Sequence, residues 1–212
     1  MTRGRAHHTT ARDQARMPAG IGSANLHYRD RHFRLPGVKL LPGEYYATGD
    51  DVMLVTVLGS CVAACIRDPE RGVGGMNHFL LPHAADQDGA AAARYGSYAM
   101  EMLINALLKQ GARRDALEAK VFGGANVVRS MVSSRVGQDN ADFVMDYLNI
   151  EGIPVLAADL GGTRPRRVHY FPRTGQVMVR VLNEIISDEV VVAEQHLDDE
   201  AAHVHGQVEL FE

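Results

Sequence analysis

The sequence predicts an α+β domain in which a mixed, mostly antiparallel sheet system carries two helices on its outside. Short apolar runs of about four to eight residues, separated by Gly, Pro and Asp, fit strands joined by tight turns. Two longer stretches have apolar residues at helical spacing. The chain has 212 residues, of which 46% are hydrophobic. This length and composition suffice for one packed core.

The apolar runs define the order of the predicted strands. They occupy residues 38–41, 44–48, 52–58, 62–66, 73–81, 119–122, 153–160, 167–171 and 176–182. The run 52–58 is apolar nearly throughout, which favours a central buried strand, whereas 44–48 is predicted at an edge. Asp68, Pro69 and Gly72 predict a tight turn that pairs 62–66 with 73–81 as a hairpin.

Two helices are expected over residues 97–110 and 141–151. Ser97 and Asn140 are the candidate N-caps, and a glycine follows each stretch. The polar and Ala-rich residues 83–94 are predicted as a loop. This loop is either a contact for substrate or a plain surface connection.

The two ends of the chain differ in charge. Residues 1–26 lack apolar periodicity and are expected to be a disordered basic segment, ahead of a folded domain at 27–182. Residues 183–212 hold nine acidic side chains and no Lys or Arg, which predicts an acidic tail. The basic segment lacks the interleaved aromatic residues of a nucleic-acid platform, so no nucleic-acid partner is expected. No apolar run reaches the roughly 20 residues of a membrane span, so no membrane insertion is expected.

Both cysteines and one histidine lie in the predicted hairpin. A turn centred just after Pro69 would place Cys61 directly opposite His78 on one face, with Cβ atoms about 4.5–5.5 Å apart. The same register gives Cys65 no base opposite it. A bulge at Gly72 would shift the register by one residue and send the thiol and the imidazole to opposite faces.

A thiol facing an imidazole can act as a nucleophile with its base. The thiolate attacks an acyl carbon, and the histidine protonates the group that leaves. Gly59 and Ser60 bend the backbone before Cys61, where backbone amides can form an oxyanion hole. Simpler interpretations stay open at this point. Free cysteines are commonly small core residues, and the Gly-Ser pair can form a β-bulge without a catalytic role.

Five short stretches carry a resemblance to a known family. They are Leu40-Leu-Pro-Gly-Glu-Tyr-Tyr46, Leu58-Gly-Ser-Cys-Val62, Gly74-Gly-Met-Asn-His-Phe-Leu-Leu-Pro82, Lys120-Val-Phe-Gly-Gly-Ala125, and Gly152-Ile-Pro-Val-Leu-Ala-Ala-Asp-Leu-Gly-Gly162 running into 166–175. In this order they resemble the chemoreceptor glutamine deamidases, the CheD family of bacterial chemotaxis. The likeness covers about residues 27–182. It implies a layered β-sandwich flanked by helices, of the cysteine-hydrolase type.

The resemblance implies a nucleophile, a base and an orienting group. Cys61 of the Gly-Ser-Cys motif is the implied nucleophile, and His78 of the Met-Asn-His motif is the implied base. The family's third member is a threonine on the strand before the cysteine, and Thr56 is the nearest match. A buried hydroxyl needs a hydrogen-bond partner, and an imidazole N–H is a suitable one. The candidates for an oxyanion or substrate contact are Gly59, Ser60 and Asn77.

Two features of the sequence complicate this assignment. Thr56 lies five residues before Cys61, so strict alternation would put their side chains on opposite faces, and the bend at Gly59-Ser60 has to correct that. In addition, many relatives carry Arg directly before Asn140, where this chain has Asp139.

The function implied by the resemblance is deamidation of specific Gln side chains on the cytoplasmic helices of chemoreceptors, in the cytoplasm. This chemistry needs no metal and no organic cofactor. A CheC-type receptor phosphatase is an implied regulatory partner. The alternatives are a non-catalytic adaptor that binds receptors or such a phosphatase, and a different thiol hydrolase such as a peptidase.

Overall fold

The structure, a computed structural model, describes residues 19–81, 89–127 and 135–182. These ranges contain eleven strands and two α-helices. The strands are β1 (Gly20–Gly22), β2 (Leu26–Arg29), β3 (Pro36–Lys39), β4 (Tyr45–Thr48), β5 (Met53–Leu58), β6 (Val62–Asp68), β7 (Val73–Asn77), β8 (Glu118–Gly123), β9 (Val155–Leu160), β10 (Arg166–Phe171) and β11 (Gln176–Val181). The helices are α1 (Gly89–Lys109) and α2 (Val136–Ile150), and a 3₁₀ turn spans Arg114–Ala116.

The strands form two sheets. The six-stranded sheet has the order β1-β4-β7-β6-β8-β9, and the five-stranded sheet has the order β11-β10-β5-β3-β2. The pairs β3–β5 and β8–β9 are parallel, and the remaining pairs are antiparallel. The predicted α+β class with a mixed, mostly antiparallel sheet system is therefore confirmed.

Strand β6 divides the core into two layers. Its side chains at Val62, Ala64 and Ile66 pack with apolar residues of α1 and α2. The alternate side chains, at Ala63 and Cys65, pack with residues of the five-stranded sheet. Because successive strand residues face opposite sides, one strand serves both layers. The order of layers is helices, six-stranded sheet and five-stranded sheet, which confirms the predicted layered sandwich flanked by helices.

The first strands differ from the prediction. Strand β5 lies between β3 and β10, as predicted for a central strand, but β4 lies between β1 and β7 rather than at an edge. Strand β1 falls within the segment 1–26 that was expected to be disordered, and Ala24 beside it is buried. That expectation is wrong for the part from residue 20 onward. The rest of the basic segment, residues 1–18, and the acidic tail, 183–212, lie outside the described residues.

Both helices begin earlier than predicted. Helix α1 starts at Gly89 rather than Ser97, so the second half of the predicted loop 83–94 is helical, and residues 82–88 lie outside the described ranges. Alanine has the highest helix propensity, and the run at 90–93 extends the helix toward the N-terminus. Helix α2 starts at Val136, so Asn140 lies inside the helix and is not its cap. Neither described helix is long and apolar enough to cross a membrane.

The turn between β6 and β7 is longer than predicted. Asp68 pairs with Val73, so the loop is formed by residues 69–72. The Asp68 carboxylate accepts hydrogen bonds from the backbone N–H groups of Glu70 and Arg71, at 2.9 and 3.1 Å. Gly72 takes a positive φ of 63°, which glycine adopts without strain.

The longer turn changes the register of the hairpin. Val62 pairs with Phe79, so Leu80 lies opposite Cys61, and His78 is displaced by two residues from the predicted position. The prediction that Cys61 and His78 lie directly opposite each other is therefore wrong. A displacement of two residues keeps every side chain on its predicted face, so the thiol and the imidazole still share one face as diagonal neighbours.

Candidate active site

The candidate site lies between the two sheets. Thr56 is on β5 of the five-stranded sheet, and His78 directly follows β7 of the six-stranded sheet. Cys61 lies in the short connection that takes the chain from β5 to β6, from one sheet to the other. All three are buried, with exposed fractions of 0% for Thr56 and Cys61 and 3% for His78.

The Thr56 hydroxyl fixes the orientation of the His78 ring. Its oxygen lies 2.7 Å from His78 Nδ1 and 2.9 Å from the Leu40 carbonyl oxygen. The hydroxyl has one proton, which it donates to the carbonyl. Its oxygen must then accept a proton from the ring, so Nδ1 carries the hydrogen and Nε2 carries the lone pair. Thr56 and His78 meet because they lie on the facing sides of the two sheets.

The remaining ring nitrogen of His78 is available for proton transfer. His78 Nε2 is buried and has no hydrogen-bond partner among the residues that the structure describes. Burial lowers the pKa of His78 to about 4, and the nearby backbone carbonyl of Leu40, which favours the charged ring, opposes this shift in part. The ring is therefore neutral at pH 7 and able to accept a proton at Nε2.

This burial predicts an acid-dependent loss of stability. The unfolded chain binds a proton at His78 near pH 6.5, whereas the folded protein binds it only near pH 4. Protonation therefore favours the unfolded state as the pH falls through this interval, and the stabilisation present above pH 6.5 is lost. Between pH 7 and pH 4.5, we expect the unfolding free energy of the wild type to fall by about 2–3 kcal/mol more than that of His78→Asn.

The measurement is denaturant unfolding at both pH values. His32→Asn, at an exposed histidine, is the matched control and should behave like the wild type. Equal losses in the wild type and in His78→Asn would contradict the assigned burial of a neutral ring.

The backbone of His78 is held by the turn that precedes β4. Gly43 N–H donates to the His78 carbonyl at 2.8 Å, and His78 N–H donates to the Glu44 carbonyl at 2.9 Å. Gly43 has a φ of 80°, and the Glu44 carboxylate closes the turn by accepting the Leu41 N–H at 2.8 Å. This turn carries the Leu-Leu-Pro-Gly-Glu motif. The motif therefore supports the histidine through backbone contacts, which its residue types alone did not reveal.

The backbone around Cys61 is held by the Gly-Gly-Ala segment at the end of β8. Gly124 N–H donates to the Cys61 carbonyl and Ala125 N–H donates to the Gly59 carbonyl, both at 2.8 Å. A Cβ atom at Gly123 would lie 2.2 Å from the Cys61 carbonyl oxygen. Only glycine allows so close an approach, which explains why a glycine pair occurs here.

Asn140 also contacts the cysteine segment, and the sequence prediction missed it by assigning it as a helix cap. Its side chain is fully buried, and its Nδ2 donates to the Ser60 carbonyl at 3.2 Å. Its Oδ1 accepts the Leu81 N–H at 2.7 Å. The sequence signal for Asn140 was the family resemblance, since many relatives carry Arg directly before this asparagine. The neighbouring Asp139 is exposed and lies 4.0 Å from Arg135 on the solvent side of α2.

Asn77 does not join this group, which corrects its selection as an oxyanion or substrate contact. It is adjacent to His78 in sequence and therefore faces the other side of the sheet. Its Oδ1 accepts the Ala64 N–H at 2.9 Å, and its Nδ2 lies 3.2 Å from the Ala99 carbonyl and 3.3 Å from Met100 Sδ. Asn77 thus ties the six-stranded sheet to α1.

Cys65 differs chemically from Cys61, although both are buried and reduced. It pairs with Met76 on one side and Lys120 on the other. Burial raises the pKa of the Cys65 thiol well above its usual range, and the nearby Lys120 charge lowers it only in part. Cys65 is therefore a core residue that stays protonated at neutral pH.

The face shared by Cys61 and His78 brings a thiol close to a neutral imidazole. Diagonal neighbours on one face of a sheet are typically about 7–8 Å apart, within reach of long side chains. Hydrogen bonds between nucleophile and base are often long before substrate binds and shorten in the complex. A thiol, a neutral histidine and a threonine that orients it are the groups that a cysteine hydrolase uses.

Comparison with known proteins identifies the family. Residues 80–181 match the family described as CheD chemotactic sensory transduction. A probable chemoreceptor glutamine deamidase CheD from Herminiimonas arsenicoxydans is 52% identical over 194 residues, which cover 89% of this chain and 95% of that protein. A protein of the same name from Bordetella petrii is 53% identical over 205 residues, 92% of each chain. The chain belongs to the CheD family.

Proposed function

We propose that this protein is a chemoreceptor glutamine deamidase, an enzyme that converts Gln side chains of chemoreceptors to Glu and releases ammonia. The observation that carries the proposal is the buried hydrogen bond between Thr56 and His78, which leaves Nε2 unprotonated on the face that holds Cys61. The names of relatives that are about half identical in sequence supply the substrate class.

The first half of the reaction forms a thioester. His78 Nε2 takes the proton of Cys61, and the thiolate attacks the carboxamide carbon of the receptor glutamine. Backbone amides of the segment 59–61 stabilise the oxyanion of the tetrahedral intermediate. The C–N bond then breaks, and the imidazolium gives its proton to the departing nitrogen, which leaves as ammonia.

The second half releases glutamate. His78 Nε2 takes a proton from water, the resulting hydroxide attacks the thioester carbon, and the C–S bond breaks. The proton returns to the thiolate, so the enzyme is restored. Each turnover adds one negative charge to the receptor and creates a carboxylate that a methyltransferase can esterify.

The test is incubation of the protein with a cytoplasmic chemoreceptor fragment. We expect ammonia to appear in equal amounts with Glu at specific former Gln positions, measured by an ammonia assay and peptide mass spectrometry. Cleavage of the receptor backbone without ammonia would instead indicate a peptidase. Tight binding with neither product would indicate the non-catalytic adaptor.

The setting of this reaction follows from the same proposal. A chain that acts on cytoplasmic receptor helices works in the cytoplasm and needs no nucleic-acid partner. A CheC-type phosphatase as a regulatory partner stays a prediction from the family resemblance. Copurification of the two proteins would test it.

Thr56 is the proposed orienting group, and its replacement predicts a moderate loss of rate. Thr56→Val keeps the size of the side chain but removes the hydrogen bond to His78 Nδ1. The loss of one orienting hydrogen bond should cost about 1–3 kcal/mol, roughly 5- to 150-fold in turnover. Ser60→Ala is the matched control, because it removes a hydroxyl beside the nucleophile. A larger loss in Ser60→Ala than in Thr56→Val would show that the third member is misassigned.

A further inference from the structure

The side chain of Asn140 joins three separate backbone segments. Its Oδ1 accepts the Leu81 N–H at 2.7 Å, and its Nδ2 donates to the carbonyls of Ser60 at 3.2 Å and Val136 at 2.8 Å. The residue is fully buried. A buried carboxamide whose oxygen and nitrogen are both hydrogen-bonded has a fixed orientation, because breaking any of these bonds leaves a buried polar group unsatisfied.

Two of the three bonds reach the proposed catalytic segments. Ser60 directly precedes Cys61, and Leu81 lies three residues after His78. Helix α2, which carries Asn140, packs against β6 on the helical side of the six-stranded sheet. Asn140 therefore reaches from the helix layer to the nucleophile segment and to the segment that follows the base.

The bond to the Ser60 carbonyl has a specific geometric consequence. The peptide unit is planar and trans, so the Ser60 carbonyl and the Cys61 N–H belong to one rigid group and point in opposite directions. When Asn140 holds the carbonyl on one side, the Cys61 N–H is directed to the other side. An amide N–H of the nucleophile itself is a donor suited to the oxyanion that forms at the attacked carbon.

Neighbouring contacts fix the same segment at its other carbonyls. Gly124 N–H holds the Cys61 carbonyl, and Ala125 N–H holds the Gly59 carbonyl. The three consecutive carbonyls of residues 59–61 thus all accept hydrogen bonds from described residues. Backbone N–H groups donate to the first and the third, and the Asn140 side chain donates to the second, that of Ser60. A substitution at Asn140 can therefore release this peptide without altering the other two contacts.

We propose that Asn140 is a positioning residue that orients the Ser60–Cys61 peptide so that the Cys61 N–H faces the developing oxyanion. The inference rests on the proposed deamidase function. Asn140 acts through the backbone and does not touch the substrate. An aspartate of the same shape would keep an acceptor for Leu81 but would place an oxygen against the Ser60 carbonyl, where two acceptors repel.

The experiment compares Asn140→Asp with the wild-type full-length chain in two reactions. Deamidation of a receptor fragment needs the oxyanion donor, whereas alkylation of Cys61 by iodoacetamide forms no oxyanion. We expect kcat for deamidation to fall by about 10- to 100-fold, with KM changed less than about threefold and the Cys61 alkylation rate nearly unchanged. Asn149→Asp, an exposed position on the same helix, is the matched control.

Three results would overturn the inference. Wild-type kcat in Asn140→Asp would show that the peptide needs no such support. A parallel fall of deamidation, alkylation and thermal stability would show that Asn140 only maintains the fold. Absence of deamidation by the wild type would refute the proposed function as well. Because aspartate introduces a buried charge that can prevent folding, Asn140→Ala is the second variant, with the same difference expected between the two reactions.

Discussion

Replacement of Cys61 by alanine is expected to lower deamidation of a receptor fragment by about a thousandfold or more. The thiolate forms the covalent bond in the proposed mechanism. Among the described residues, the other cysteine, Cys65, cannot replace it, because burial keeps its thiol protonated. Water attack on the amide without the thioester is the residual route. The measurement is Gln-to-Glu conversion followed by peptide mass spectrometry over time.

Cys65→Ala is the control for Cys61→Ala. It likewise removes one sulfur atom, from a second cysteine that packs in the same core layer. We expect it to keep most of the activity, because Cys65 only packs. The unfolding midpoint of both variants should remain close to that of the wild type. Full activity in Cys61→Ala, or equal loss in both variants, would be incompatible with the assigned nucleophile.

Replacement of His78 by asparagine is expected to lower deamidation by about 10²- to 10⁴-fold. The asparagine amide can still donate a hydrogen bond to Thr56, so the local hydrogen bonding is largely retained. It offers no basic nitrogen in place of Nε2 to take the proton of Cys61. For the same reason, alkylation of Cys61 by iodoacetamide at neutral pH should slow, while the slow alkylation of Cys65 should not change.

The pH dependence of the wild type gives a second test of His78. A general base must be neutral to accept a proton, and burial lowers the pKa of His78 to about 4. The loss of kcat/KM that is due to protonation of His78 should therefore be centred near pH 4, not near pH 6.5. A loss centred near 6.5 would mean that the ring is solvated when the enzyme acts.

Patterns carried by side-chain type predicted much of the fold and the site. The nearly uninterrupted apolar run at β5 indicated a central strand, because a strand covered on both faces has no polar side. Thr56 was selected through the family resemblance, and the need of a buried hydroxyl for a hydrogen-bond partner supported that choice; the partner is His78. The common face of Cys61 and His78 followed from alternation, which a register displaced by two residues leaves intact.

The errors concern side chains whose partners are backbone groups. The Asp68 carboxylate lengthens the β6–β7 turn by accepting two N–H groups, and no count of residues reveals this. Asn140 looked like a helix cap because asparagine is common there, whereas its partners are backbone groups 59 and 80 residues away. Asn77 shows the converse error, since proximity to His78 in sequence suggested a shared face that alternation forbids.

In the proposed mechanism, the engagement of His78 Nδ1 bears on the order of the two half-reactions. The Thr56 hydroxyl, itself held by the Leu40 carbonyl, keeps that nitrogen engaged, so the ring exchanges protons with the substrate through Nε2 alone. Nε2 must give its proton to the departing ammonia before it can accept one from water, so the two half-reactions are strictly successive. The proposed mechanism therefore predicts ping-pong kinetics, in which a thioester intermediate forms before the second substrate, water, reacts. Any small amine that enters at that stage competes with water, and the receptor then receives a new amide in place of a carboxylate.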